Sequence, residues 1–230
     1  MPIKSYRYLD IITIAFVTVL LLSNIIAVKI VSLGALALPA AVFLFPLSYI
    51  FGDILTEVYG YAKARRVIWT GLAANVFMAL VFMAASALPP AAPWPLQEAF
   101  ASILGQTPRI VAASVIAYWA GEFLNSYVLA KIKVKMQGRR LWIRTIGSTV
   151  VGEAIDTALF ISLAFGGVLP GSLVITIMIS SYLAKVALEI ILTPATYAVV
   201  RTLKRAEGED YYDTATNFNP FHLRDRSAAS

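Results

Sequence analysis

"TIGSTVVGEAIDTALFISLAF" occupies residues 145–165. As a helix rising 1.5 Å per residue, such a run crosses a hydrocarbon layer of about 30 Å. Glu153 and Asp156 nevertheless stand in its middle. At 3.6 residues per turn, Thr149, Glu153, Asp156 and Phe160 share one stripe. The composition demands a membrane, and the carboxylates demand that this stripe turn away from lipid.

The same conflict recurs along the chain. "GEFLNSYVL" at 121–129 places Glu122 and Asn125 in another apolar run. Of thirteen acidic residues, six fall inside apolar segments: Asp53, Glu57, Glu122, Glu153, Asp156 and Glu189. Lys185 is also internal, and Lys29 lies near a segment end. The chain is 59% hydrophobic and 14% charged over 230 residues, with a mean hydropathy of +0.76. Soluble domains average about 45–50% apolar and about 25% charged. The fold class is therefore an all-α integral membrane protein, because the runs are too long for transmembrane strands of about 9–11 residues.

Six transmembrane helices are expected at 9–30, 38–60, 67–88, 108–131, 142–165 and 173–200. Lys and Arg cluster before the first, after the second, between the fourth and fifth, and after the sixth. Both termini are then cytoplasmic by the positive-inside rule. The formal charge of +6 thus reflects topology, and no nucleic-acid partner is expected. Residues 1–205 form one six-helix transmembrane domain, and 206–230 a polar cytoplasmic tail. The N-terminus leads straight into a span too long for a cleavable signal. The Pro-rich loop 89–107 is external, and "LQEAFASIL" within it suits a short interfacial helix. "GDILTE" at 52–57 and "GEAIDT" at 152–157 lie on oppositely directed spans, as an inverted three-plus-three repeat requires.

Chemistry is narrowed by absences. Without cysteine, and with His222 the single histidine in a polar tail, neither a metal site nor a cofactor is expected. A carboxylate facing lipid at mid-membrane costs about 2.5–3.5 kcal/mol. Six of them must face an interior, pair, protonate or meet water. Helical spacing gathers them: Tyr49, Asp53 and Glu57; Tyr118, Glu122 and Asn125; Tyr182, Lys185 and Glu189. Asn24 and Asn75 add amides. The bland alternatives are interfacial placement for Glu57, an internal Lys185–Glu189 pair, and interhelical glue for the amides. Two internal lysines cannot neutralise six carboxylates, which favours a polar cavity that serves a small solute. Gly52, Gly121 and Gly152, each just before an acid, read as close helix contacts.

A carboxylate can accept the adjacent N–H and NH₂ donors of a guanine-type edge, an amide can answer a ring carbonyl, and aromatic rings can stack on a flat base. These residues permit a purine-like solute without selecting one. "LSNIIAVKIVSLG" (22–34), "FLFPLSYIFGDILTEVYGYAKARRVIW" (43–69), "GEFLNSYVLAKIKV" (121–134), "LWIRTIGSTVVGEAIDTALF" (141–160), "YLAKVALEIILTPATYAVV" (182–200) and "TNFNPF" (216–221) carry more information. Together they resemble the bacterial queuosine-precursor transporter family, also described as vitamin-uptake transporters. The resemblance implies inner-membrane import of 7-cyano-7-deazaguanine and 7-aminomethyl-7-deazaguanine, which are precursors for tRNA queuosine. On that basis Glu153 or Glu122 would accept the donor edge. Asn125 or Asn24 would meet the carbonyl. Tyr118, Tyr182 or Phe45 would stack, and Asp156 would sit beside Lys185. Proton coupling would fall to Asp53, Glu57, Asp156 or Glu189. The expected partners are the deazaguanine solute, membrane lipids and, through small-residue faces such as "GLAANVFMA" (71–79), a second copy.

Two other functions fit parts of the pattern. One is the substrate-binding subunit of an ATP-driven vitamin importer, which needs a partner ATPase because no phosphate loop is present. The other is an intramembrane aspartyl protease using Asp53 and Asp156.

Overall fold

In the computed structural model the described residues are 6–222, apart from 28, 34–35, 106–107 and 168–169. Lys4 and the final stretch of the expected tail, 223–230, lie outside them. Among the described residues there are seven α-helices: α1 (Leu9–Ile26), α2 (Phe45–Tyr59), α3 (Tyr61–Ala87), α4 (Gln97–Leu104), α5 (Pro108–Lys135), α6 (Leu141–Phe165) and α7 (Gly171–Glu207). Five segments are long and apolar enough to cross a membrane: α1, Ala40–Tyr59, α3, α6 and α7. The other long helix, α5, has 28 residues, but Glu122, Asn125 and Ser126 dilute its apolar character. The short α4 lies in the loop where an interfacial helix was expected.

The expected span at 9–30 needs correction at its end, and the span expected at 38–60 is found at Ala40–Tyr59 but begins as a 3₁₀ turn. Helix α1 stops at Ile26, and the chain then forms an antiparallel hairpin of β1 (Ile30–Leu33) and β2 (Leu36–Pro39). Ile30 pairs with Pro39 and Leu33 with Leu36. Short apolar runs do not distinguish helix from strand by periodicity, and Ile30 and Val31 are β-branched. A 3₁₀ turn at Ala40–Phe43 leads into α2, whose first turn holds Pro46. Helix α7 runs past its expected end to Glu207. Its 37 residues give a rod of roughly 55 Å, longer than a hydrocarbon core.

Polarity is turned inside out relative to a water-soluble fold. Ile14, Phe77, Leu80, Ile175, Leu183 and Ile191 are exposed, whereas Asp53, Glu57, Glu122, Glu153, Asp156 and Glu189 are all at most 3% accessible. This is the arrangement a bilayer solvent selects. Helices α5 and α6 form the most extensive pair. Gly121 and Gly152 make this possible: a Cβ on either would lie 2.9 Å from the other's carbonyl oxygen. The packing is of the small-residue kind found between membrane helices.

Both described ends of the chain meet at one end of the bundle. The Glu207 carboxylate accepts hydrogen bonds from the Arg7 and Tyr8 backbone N–H groups at 3.0 and 2.7 Å. Residues 208–222 then fold back over α3 and α5. Asp213 accepts the Tyr61 N–H at 3.1 Å, which satisfies a donor at the start of α3. Arg65 donates to the Asn217 and Asn219 carbonyls at 2.7 and 2.9 Å, and Trp69 Nε1 to Pro220 O at 2.8 Å. The Phe221 ring lies against Trp69 and Trp119 at 5.9 and 5.8 Å. Tyr211 covers Gly60, the turn between α2 and α3, where φ is +88°. Only glycine suits that turn, since a Cβ would both strain the backbone and meet the Tyr211 ring.

Asp210 ties this segment to α5 and α7 through Lys133 Nζ at 2.6 Å and Lys204 Nζ at 2.8 Å. Partial burial favours its neutral form, but hydrogen bonds and attraction from the two ammonium groups outweigh this and hold the carboxyl below its ordinary value. A depressed folded value means the ionised group contributes stability above the ordinary aspartate range. That contribution is lost as pH falls through the lowered value. Acidification should therefore loosen residues 208–222 in the wild type, and Asp210→Asn should remove this pH response. Tryptophan emission reports it, because Trp69 and Trp119 lie under Phe221. Because Asp210 is partly exposed, the effect is expected to be small.

Candidate functional site

Four helices bring their polar stripes together. Helix α2 contributes Phe45, Tyr49, Gly52 and Asp53; α5 contributes Tyr118, Glu122 and Asn125. Helix α6 contributes Thr149, Glu153, Asp156 and Thr157; α7 contributes Lys185 and Glu189. At its centre Lys185 Nζ donates to Glu153 Oε2 at 2.8 Å and Asp156 Oδ2 at 2.6 Å. The same ammonium lies 4.7 Å from the Phe45 ring centroid, within cation–π range. Lys185 thus reaches across to α6, and the i, i+4 pairing with Glu189 does not form.

The other acids are handled differently. Asp53 Oδ1 accepts from Asn125 Nδ2 at 2.8 Å, while Asp53 Oδ2 and Asn125 Oδ1 have no partner. Both oxygens of Glu122 and both of Glu189 are buried without a hydrogen bond. The Tyr118 hydroxyl is near Glu122 without hydrogen-bond geometry. The Tyr49 hydroxyl and Thr149 Oγ1 are likewise buried and unpartnered. Phe45, Tyr49 and Tyr118 form an aromatic group above these carboxylates, with Phe45 and Tyr118 edge-on at 5.6 Å. Buried polar atoms are normally satisfied, so this concentration of unsatisfied acceptors and hydroxyls makes the cluster the candidate site.

Glu57 belongs to a separate cluster, nearer the chain termini. Its Oε1 accepts from Arg144 Nη2 at 2.6 Å and Lys204 Nζ at 2.5 Å, with Lys133 Nζ 3.6 Å away. Lys133 also donates to Glu57 O at 2.6 Å and Tyr211 O at 2.7 Å. Lys133 and Lys204 come from helix ends that lie beyond the expected spans 108–131 and 173–200, so these partners of Glu57 were not visible in the sequence. The glycine-before-acid spacing was the usable signal for contact. A Cβ on Gly52 would overlap Glu122, and one on Gly152 would lie 2.7 Å from Asn125 Cβ.

Two of the expected substrate residues stand apart from the group. Asn24 Oδ1 accepts from Ser114 Oγ at 3.1 Å. Asn24 also lines a small cavity with Asn75, Met78 and Ile103. The Tyr182 hydroxyl donates to Val150 O at 3.2 Å on the α6–α7 seam. Asp53 and Asp156 have different partners, Asn125 and Lys185, and do not form a shared-proton pair. Among the described residues no group of His, Cys, Asp and Glu is arranged to hold a metal ion.

Residues 39–199 match the family model described as "Putative vitamin uptake transporter". The chain belongs to this family. It is a transporter family, not an enzyme family, so the protease alternative is set aside. This member is also similar to the "Probable queuosine precursor transporter" of Bacillus subtilis strain 168, at 32% identity over 195 residues and 84% of each chain. It resembles the "Queuosine precursor transporter" of Escherichia coli K12 at 29% identity over 123 residues, 54% of this chain and 53% of that one. No solved structure matches the chain. A vitamin-uptake family member with these apolar helices is a multi-pass membrane protein.

Proposed function

We propose that this chain imports the queuosine precursors 7-cyano-7-deazaguanine and 7-aminomethyl-7-deazaguanine across the bacterial inner membrane by secondary transport. The observation that carries the reading is the convergence of acids from α2, α5, α6 and α7 beside three aromatic rings, several of their polar atoms unpartnered. The names of the two relatives supply the solute class.

The cluster lies near mid-membrane, with α5 as the sixth span. The end where both described ends of the chain meet faces the cytoplasm. Its basic residues, among them Arg65, Lys133, Arg144 and Lys204, support that orientation. Residues 1–205 are the transport unit and 206–230 a cytoplasmic tail, of which the described part, 208–222, packs over α3 and α5. The inverted three-plus-three repeat rests on the strings "GDILTE" and "GEAIDT" on oppositely directed spans.

Glu153 and Asp156 are held by Lys185, and solute arrival would redistribute these contacts. Phe45 and Tyr118 offer aromatic surface to the base, and Asn125 Oδ1 is a free acceptor for a donor on its edge. Glu153→Gln keeps the shape but removes half of the countercharge of Lys185. We expect it to insert normally and to lose uptake of labelled 7-deazaguanines. Uptake by purified protein in liposomes, with and without a proton gradient, is the direct test. If no uptake occurs until an ATPase is added, the chain is the substrate-binding subunit of an ATP-driven vitamin importer.

A further inference from the structure

We propose that Glu122 is a proton-carrying group, neutral while α2 is packed on α5 and ionised when these helices part. Glu122 is 0% exposed, and neither carboxylate oxygen has a hydrogen-bond partner. The carboxyl group presses into the notch left on α2 by the absent side chain of Gly52. It is therefore dry, and its dryness depends on a helix contact.

The charges that face it offer no compensation. On α2 these are Tyr49 and Asp53, on its own helix Tyr118, on α6 Glu153 and Asp156, and on α7 Glu189. All are acids or phenols. The nearby ammonium, Lys185, is committed to Glu153 and Asp156. Arg144 and Lys204 are held at Glu57. A carboxylate without a cation, in a dry site among other acids, binds a proton. The step is balanced: the carboxylate takes one proton from water on one side and becomes a carboxylic acid. It returns that proton to water on the other side when the notch opens. Asp53 has an amide donor in Asn125, whereas Glu122 has only the Tyr118 hydroxyl near it, outside hydrogen-bond geometry, and no cation.

This rests on the transport reading only for its cargo, and the proton site is tested without cargo. Infrared spectra of the purified full chain in lipid, at neutral pH, should contain the carbonyl stretch of a protonated carboxylic acid. Glu122→Gln should remove intensity there. Gly52→Ala, which forces the carboxyl out of its notch, should reduce the same band and leave the Glu122 side chain itself in place. In liposomes holding a pH-sensitive dye, labelled 7-deazaguanine entry should acidify the lumen with wild type and not with Glu122→Gln. A wild-type protein with no protonated-carboxyl band, or a Glu122→Gln protein with an undiminished band, overturns the proposal. A band that behaves as expected in a protein that moves no 7-deazaguanine supports the proton site and rejects the cargo.

Discussion

Replacing Lys185 by methionine is expected to abolish uptake and markedly destabilise the protein. The methionine keeps most of the apolar stem but removes the ammonium. Glu153 and Asp156, now 2.8 and 2.6 Å from that nitrogen, would be left together, both almost inaccessible to solvent. Removing one partner of a buried ion pair costs about 3–5 kcal/mol, because the remaining charge is stranded. That is a large share of a typical net stability of about 5–15 kcal/mol. Either α6 and α7 separate, or one carboxyl takes up a proton to relieve the repulsion. The check is uptake in liposomes alongside the thermal midpoint of detergent-solubilised protein. Adding Asp156→Asn to the lysine variant should recover part of the midpoint, since it removes the repulsion between the two carboxylates, but not uptake. A single variant that transports and melts like the wild type would show that the pair does neither job.

Glu57→Gln should produce the largest stability loss in the cluster near the termini. Glu57 is 0% exposed and its Oε1 faces three cations, Arg144, Lys204 and Lys133. They come from α6, α7 and α5, so one carboxylate ties three helices together. A glutamine can accept one hydrogen bond there but cannot offset the charges. The expected loss is again about 3–5 kcal/mol, read as a lower midpoint and as failure of residues 208–222 to stay docked through Lys133. Arg144→Met combined with Glu57→Gln should be less damaging than the glutamine alone, because it removes a stranded cation. If the glutamine variant melts normally yet loses proton-driven uptake, Glu57 is a coupling group.

The two substitutions concern acids that look alike in sequence. Asp53 and Glu57 share a face of α2 at i, i+4, and both precede a basic turn. Their surroundings differ because the chain returns twice to that end of the bundle. Lys133 and Lys204, which sequence reading assigned to cytoplasmic loops, lie on the ends of α5 and α7. Residues 208–222 close over them, with Asp210 as a further countercharge. None of this has a local signature. The hairpin at 30–39 was hidden for another reason: its apolar residues match the start and end of a membrane span equally well.

Membrane residence and most of the helix positions follow from apolar runs whose lengths match a bilayer, and the inward direction of the acid stripes follows from the cost of facing lipid. Those features depend on solvent and on helical period, which are properties of a segment. Whether a given acid finds a lysine, an asparagine, an arginine or only a glycine notch depends on which helices cross and at what height. Packing across the bundle makes that choice, so Glu57, Glu153 and Glu122 have different chemistry although each is a glutamate inside an apolar helix.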